Sequence, residues 1–196
     1  MEFLTELWLP IVLSAVIVFF ASAVLWMALP LHKNDFIAPP DEASIQSAVT
    51  MHGFKPGQYY IPWCNHGGGG HKDPAFIERM KRGPWVMLTV MHQAPNFGRS
   101  LLQWFIYQLI ICAIIAYAAW AAIGHRPELE YLYVFQVVGS IALLAQAGMC
   151  VQDSIWKGSS WKQSLTKLID GVVYALLIAG VFAWRWPAQV PFGVGG

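Results

Sequence analysis

Charge is what this 196-residue chain has little of: only 12% of its residues are charged, against 57% that are hydrophobic, and the mean hydropathy is +0.48. A soluble chain of this size would be left with too little polar surface to stay dispersed. A net charge of +1 gives no global attraction to nucleic acid, and no basic patch with interleaved aromatics or reading helix is present, which sets nucleic-acid binding aside. Cysteine is scarce as well. Cys64, Cys112 and Cys150 fit neither a disulfide framework nor a paired zinc knuckle, and the last two fall in apolar runs as small hydrophobic residues. Catalytic signatures are missing too: there is no G-x-S-x-G elbow, H-E-x-x-H pair, CxxCH haem site, kinase set or dinucleotide fingerprint.

What the chain does have is four long apolar runs, Leu7–Leu29, Leu101–Ile123, Leu132–Val151 and Leu168–Trp184. A hydrocarbon core about 30 Å thick asks for roughly 20 apolar residues, and only a helix satisfies the backbone within a single run. The second run carries no charge at all. The reading is therefore an all-α membrane bundle of four transmembrane helices forming one membrane domain over residues 1–196. The first run is not read as a cleaved signal, because it follows Glu2 and Glu6 with no Lys or Arg ahead of it and is apolar for too long.

Lysine and arginine set the expected orientation. With the amino terminus outside, Lys33, Lys55, Lys72, Arg79, Lys81, Arg82, Arg99, Lys157, Lys162 and Lys167 fall inside, and only Arg126 and Arg185 fall outside. A ratio of ten to two is what the positive-inside bias favours. Both termini are thus expected on the periplasmic or exterior side, with residues 31–100 as a cytoplasmic insertion.

That insertion carries signals of its own and is read as a small α+β cap. Pro40, Asp41 and Glu42 open a helix that continues through Ile45, Val49 and His52 and stops at Gly53. Gln58–Trp63 and Trp85–Met91 read as two strands able to pair, and between them Asp73 and Pro74 cap a helix that Gly83 and Pro84 end. Of the ten tryptophans, Trp8, Trp63, Trp85, Trp104, Trp120, Trp156, Trp161, Trp184 and Trp186 mostly fall near run ends, as an interfacial aromatic belt requires, with pigment or sterol stacking as the sharper alternative.

Three sets of residues are candidates for function. The first is a ladder of small residues, Gly171, Ala175, Ala179 and Ala183, with Gly139 on the preceding run; small side chains let helices approach closely, either within this bundle or against a partner subunit. The second is polar. Gln103, Gln108, Gln136, Ser140, Gln146, Asp170 and Tyr174 lie within apolar runs, and Asp153, Asp170 and Gln146 form a possible ion site. Alternatively, Asp170 answers the helix dipole and pairs with Lys167 or Lys162. The third is Cys64, His66 and His71, a conceivable metal site whose spacing matches no standard zinc pattern and whose glycine-rich segment, Gly67–Gly70, also reads as a plain turn.

The segments GPWVMLTVMHQAPNFGRSLLQWF (Gly83–Phe105), VQDSIWKG (Val151–Gly158) and DGVVYAL (Asp170–Leu176) resemble a family of small four-span bacterial inner-membrane proteins. That resemblance implies the same topology and a bacterial origin, and it brings no established activity, cofactor or catalytic residue. No cofactor is expected. The bilayer and other membrane subunits, or further copies of the chain, are the expected partners. The leading functional expectation is a non-catalytic accessory or assembly subunit of a larger inner-membrane complex. A small ion or solute transporter or channel acting as an oligomer is the alternative, and a metal-dependent membrane enzyme is the third.

Overall fold

The computed structural model describes residues 2–65, 67, 69–124 and 129–187; His66 of the candidate metal set and Arg126 of the orientation count lie outside these. The chain is mostly helical and divides into two compact units, residues 37–95 and the remainder.

The larger unit holds four helices long and apolar enough to cross a membrane. Helix α1 spans Glu2–Ala23 and continues as a π-helical turn, Val24–Ala28, after which a 3₁₀ turn, Pro30–His32, redirects the chain. Helix α4 (Phe97–Ile123) has 27 residues and is roughly 40 Å long at about 1.5 Å per residue. It begins where Asn96 accepts a hydrogen bond from the Arg99 amide, ahead of the apolar run itself. Helix α5 covers Tyr131–Ala147, and a turn leads to the short α6 (Gln152–Lys157). Helix α7 runs from Trp161 to Arg185, so it starts well ahead of the apolar run at Leu168. Ser160 caps it by accepting from the Gln163 amide, and its polar first turns are helical because Ser164 and Thr166 are buried against the rest of the bundle.

Leu7, Ile11, Ala15 and Val18 line one stripe of α1 and meet Cys112, Ile115, Ala116 and Ala119 of α4, together with Val138 of α5 and Ile178 and Phe182 of α7, in one core. The closest approach is between α5 and α7. A Cβ built on Gly171 would lie 2.7 Å from the Ala147 Cβ and 2.9 Å from the Gln146 carbonyl oxygen, and one on Gly139 would lie 3.3 Å from the Ala179 Cβ. Gly171, Ala175 and Ala179 are buried, and Ala183 packs against the core from its edge. The small-residue ladder is thus used within the bundle, with Gly171 and Ala179 facing α5. All three cysteines are free, and Cys112 is fully buried as an apolar residue.

The smaller unit has the expected helix, strand, helix, strand order. Helix α2 (Glu42–Met51) is capped by Asp41, whose carboxylate accepts from the Ser44 amide and hydroxyl; those bonds hold the Asp41 carboxyl below its usual value. Strands β1 (Gly57–Ile61) and β2 (Val86–Val90) pair antiparallel with Gly57 opposite Val90 and Ile61 opposite Val86. Helix α3 (Pro74–Arg82) starts at Asp73, which accepts from the Ala75 and Phe76 amides, and ends at Gly83, whose φ of 67° suits glycine.

Replacing Gly171 by valine forces a branched side chain into the α5 backbone. The expected loss is about 1–3 kcal/mol, read as a lower unfolding midpoint of the detergent-solubilised protein, whereas valine at exposed Gly98 of α4 should leave that midpoint in place.

Candidate functional site

The most concentrated polar chemistry in the larger unit lies where α1 ends and α7 begins. The π turn carries one extra residue per hydrogen-bonded loop, with the Leu29 amide bonded to the Val24 carbonyl at 3.1 Å, and it holds Trp26, whose indole N–H reaches Asp170. Leu29 and Pro30 then break the helix, and the 3₁₀ turn brings His32 back beneath Trp26. The indole and imidazole planes stack 3.9 Å apart and 5° from parallel.

His32 is held from both sides. Its Nδ1 lies 2.7 Å from Asp35 Oδ2 and its Nε2 lies 3.0 Å from Asp170 Oδ2, and all three side chains are at most 7% exposed. The Trp26 indole N–H donates to the same Asp170 oxygen at 3.1 Å. Thr166 Oγ1 sits 3.3 Å from Asp35 Oδ2 and 2.9 Å from the Gln163 carbonyl, so its single proton is shared between two acceptors. With a carboxylate facing each ring nitrogen, each of the two gaps needs a proton. Whether the ring holds both or one carboxyl holds one, the trio carries a net charge of −1. Two buried carboxylates are thus served by one imidazole and one indole, an arrangement that fastens the segment after α1 onto α7.

Beside this trio lies a cavity of about 410 Å³ among α1, α4, α5 and α7. Phe19, Ala23 and Met27 of α1 and its π turn, with Phe97 and Leu101 of α4, make its apolar wall. Its polar groups come from Ser22, Trp26, Trp104, Gln146, Lys167, Asp170 and Tyr174. Several of these are already engaged: the Trp104 indole donates to Ser22 Oγ at 3.0 Å, and Gln146 Nε2 donates to Gln108 Oε1 at 2.9 Å. Gln108 is fully buried, and its Nε2, like Ser14 Oγ, has no hydrogen-bond partner among the described residues.

The structure separates the residues proposed as one ion site. Asp170 and Gln146 face the same cavity, but Asp153 does not line it. Asp153 bonds instead to Lys157 at 2.8 Å and more loosely to Lys167 at 3.6 Å. The expected pairing of Asp170 with Lys167 or Lys162 is therefore corrected, since Asp170 is committed to His32 and Trp26. The physical reason is that a buried carboxylate takes the partners buried with it, while Lys167 and Asp153 both reach toward solvent.

In the smaller unit, Cys64 Sγ lies 3.7 Å from His71 Nδ1, and the His71 ring meets Phe76 edge-on. Among the described residues, no group of three His, Cys, Asp or Glu side chains is arranged to hold a metal ion. In the Asp35–His32–Asp170 trio the carboxylates lie on opposite edges of the ring, so their oxygens do not converge on a common point.

Reading the residues in order singled out Asp170 and missed His32, Asp35 and Trp26. The available signal was a cluster of chemistry just after the first apolar run, Pro30, His32 and Asp35, with the histidine and aspartate three residues apart. Truncating Asp170 to alanine leaves His32 Nε2 and the Trp26 indole N–H without their acceptor while the His32–Asp35 pair remains, and the expected cost is about 1–3 kcal/mol. The exposed pair of Asp153 should cost no more than about 1 kcal/mol when Asp153 is changed to asparagine; denaturation of the two variants in the same detergent checks the contrast. No family model matches the chain, and no curated protein or solved structure matches it.

Proposed function

We propose that this chain is a non-catalytic accessory or assembly subunit of a larger bacterial inner-membrane complex. In this reading it is multi-pass, both termini lie on the periplasmic or exterior side, and residues 31–100 lie in the cytoplasm. The ten-to-two division of basic residues supports that orientation. The observation that carries the proposal is that most of the polar side chains inside the bundle bond to one another, Gln108 Nε2 and Ser14 Oγ being the exceptions among the described residues. His32, Asp35, Asp170 and Trp26 satisfy each other, Gln146 meets Gln108, and Trp104 meets Ser22. A bundle bonded internally in this way suits a frame for other subunits. With Gly171 and Ala179 occupied by α5, contact with other subunits falls to lipid-side faces such as the Leu102, Ile106, Ile110 and Ile114 row of α4, exposed at intervals of four.

Native mass spectrometry of the protein gently extracted from its own membranes should give co-migration with defined partners in a fixed ratio. A lone monomer or a homo-oligomer would overturn the subunit reading.

A second reading, an oligomeric ion or solute transporter, is favoured by one specific observation: an ionisable trio, a π turn and a cavity occur together inside the bundle. In proteoliposomes under a pH gradient, that reading expects a protein-dependent proton flux that Gln146→Leu and Asp170→Asn each reduce. Flux unchanged in both variants sinks it.

A further inference from the structure

We infer that the cavity beside Asp170 is a seat for one acyl chain of an anionic phospholipid, whose phosphate is held by Lys167. This inference concerns a ligand and is independent of whether the chain serves a larger complex.

What the cavity offers a ligand is volume and an apolar wall. At about 410 Å³ it falls within the about 300–1,000 Å³ of small-molecule sites, and its wall is mostly aliphatic and aromatic. Its charged groups are one of each sign, Asp170 and Lys167. Asp170 is unavailable to a ligand: the imidazole of His32 and the indole of Trp26 already occupy its oxygens. Lys167 is the opposite case. Among the described residues it pairs with Asp153 at 3.6 Å, the same carboxylate that Lys157 holds at 2.8 Å, and its side chain is one-third exposed. The charge the cavity can still pair is therefore a single loosely held ammonium, and the ligand it complements is an apolar tail with an anionic head.

Position selects a lipid. Lys167 lies six residues into α7 from Trp161, about 9 Å along the axis at 1.5 Å per residue. A lysine at that depth snorkels its ammonium toward the headgroup layer while its stem stays along the helix. An acyl chain laid against Phe19, Met27 and Leu101 would bring a phosphate to the same level. Moving a chain from bilayer to cavity gains nothing hydrophobic, because both are apolar. Preference among lipids must therefore come from the head, where a lysine near the surface discriminates by charge.

The test is native mass spectrometry of the purified full-length protein in detergent with equimolar palmitoyl-oleoyl phosphatidylglycerol and phosphatidylcholine. The wild-type protein should retain one phosphatidylglycerol per chain, favoured about fivefold, the effect of one lysine near an anionic phosphate. Lys167→Gln should bring the two lipids to parity, while Lys162→Gln, which removes a cation outside the cavity lining, should leave the preference intact. Ala23→Phe should fill the seat and remove both adducts, with helical content confirming that the variant is folded. Equal retention of the two lipids by the wild-type protein overturns the inference. So does an unchanged preference in Lys167→Gln, or its equal loss in Lys162→Gln, which would mark an unspecific surface attraction.

Discussion

The interaction on which the larger unit depends is the set of bonds that commits the segment leaving α1 to α7: His32 and Trp26 to Asp170, and Asp35 to Thr166. Apolar packing alone does not choose among helix arrangements in a hydrocarbon medium, where a leucine facing lipid and a leucine facing another helix are nearly equivalent. Two other features make the choice here. Small residues allow α5 and α7 to approach until Gly171 touches the Ala147 and Gln146 backbone. The buried trio then fixes the rotation and depth of α1, since a slide of a single residue would take His32 out of reach of Asp170 at 3.0 Å.

The π turn, the cavity and the trio adjoin one another. A regular α-helix continued from Ala23 would keep the stripe of Leu7, Ile11 and Val18 facing the core and would rotate Trp26 elsewhere. The extra residue in the Val24–Ala28 turn shifts the register, places Trp26 over His32, and leaves space between α1 and α4 that Phe19, Met27 and Leu101 line without filling. The cavity lies beside the bent end of the helix, with Trp26, Met27 and Asp170 in its lining.

How much of this was legible in the sequence follows from how local each signal is. The four long helices were visible because charge is nearly absent from them, and the α2, β1, α3 and β2 elements because Asp41, Asp73 and Gly83 are local caps. The start of α7 was hidden, because Lys162, Gln163 and Lys167 read as a polar connection although Ser160 caps a helix there. Asp170 stood out as an ionisable residue in an apolar run, but its partner lies 138 positions away. Local spacing offered Lys167 three residues before it, and nothing in a linear reading ranks a distant histidine above a neighbouring lysine. Trp26 was equally hidden, since a tryptophan within an apolar run carries no mark of the π turn that redirects it.

The same trio bears differently on the two functional readings. A frame for other subunits needs its buried ionisable groups held in one arrangement, and His32, with a carboxylate on each ring nitrogen, is held in that way. A transporter needs a second arrangement of comparable energy, in which Asp170 is released from His32 and finds another partner. The nearest cation on its own helix, Lys167, is engaged with Asp153, and reaching Asp170 would mean drawing that ammonium inward from the solvent side. Gln108 Nε2 and Ser14 Oγ, buried and unpaired among the described residues, are polar atoms inside the bundle with capacity to spare. Gln108 bonds through its oxygen to Gln146, which faces the cavity. Release of Asp170 to its own helix's cation would need a desolvated lysine, and that cost is the reason the subunit reading is proposed ahead of the transporter.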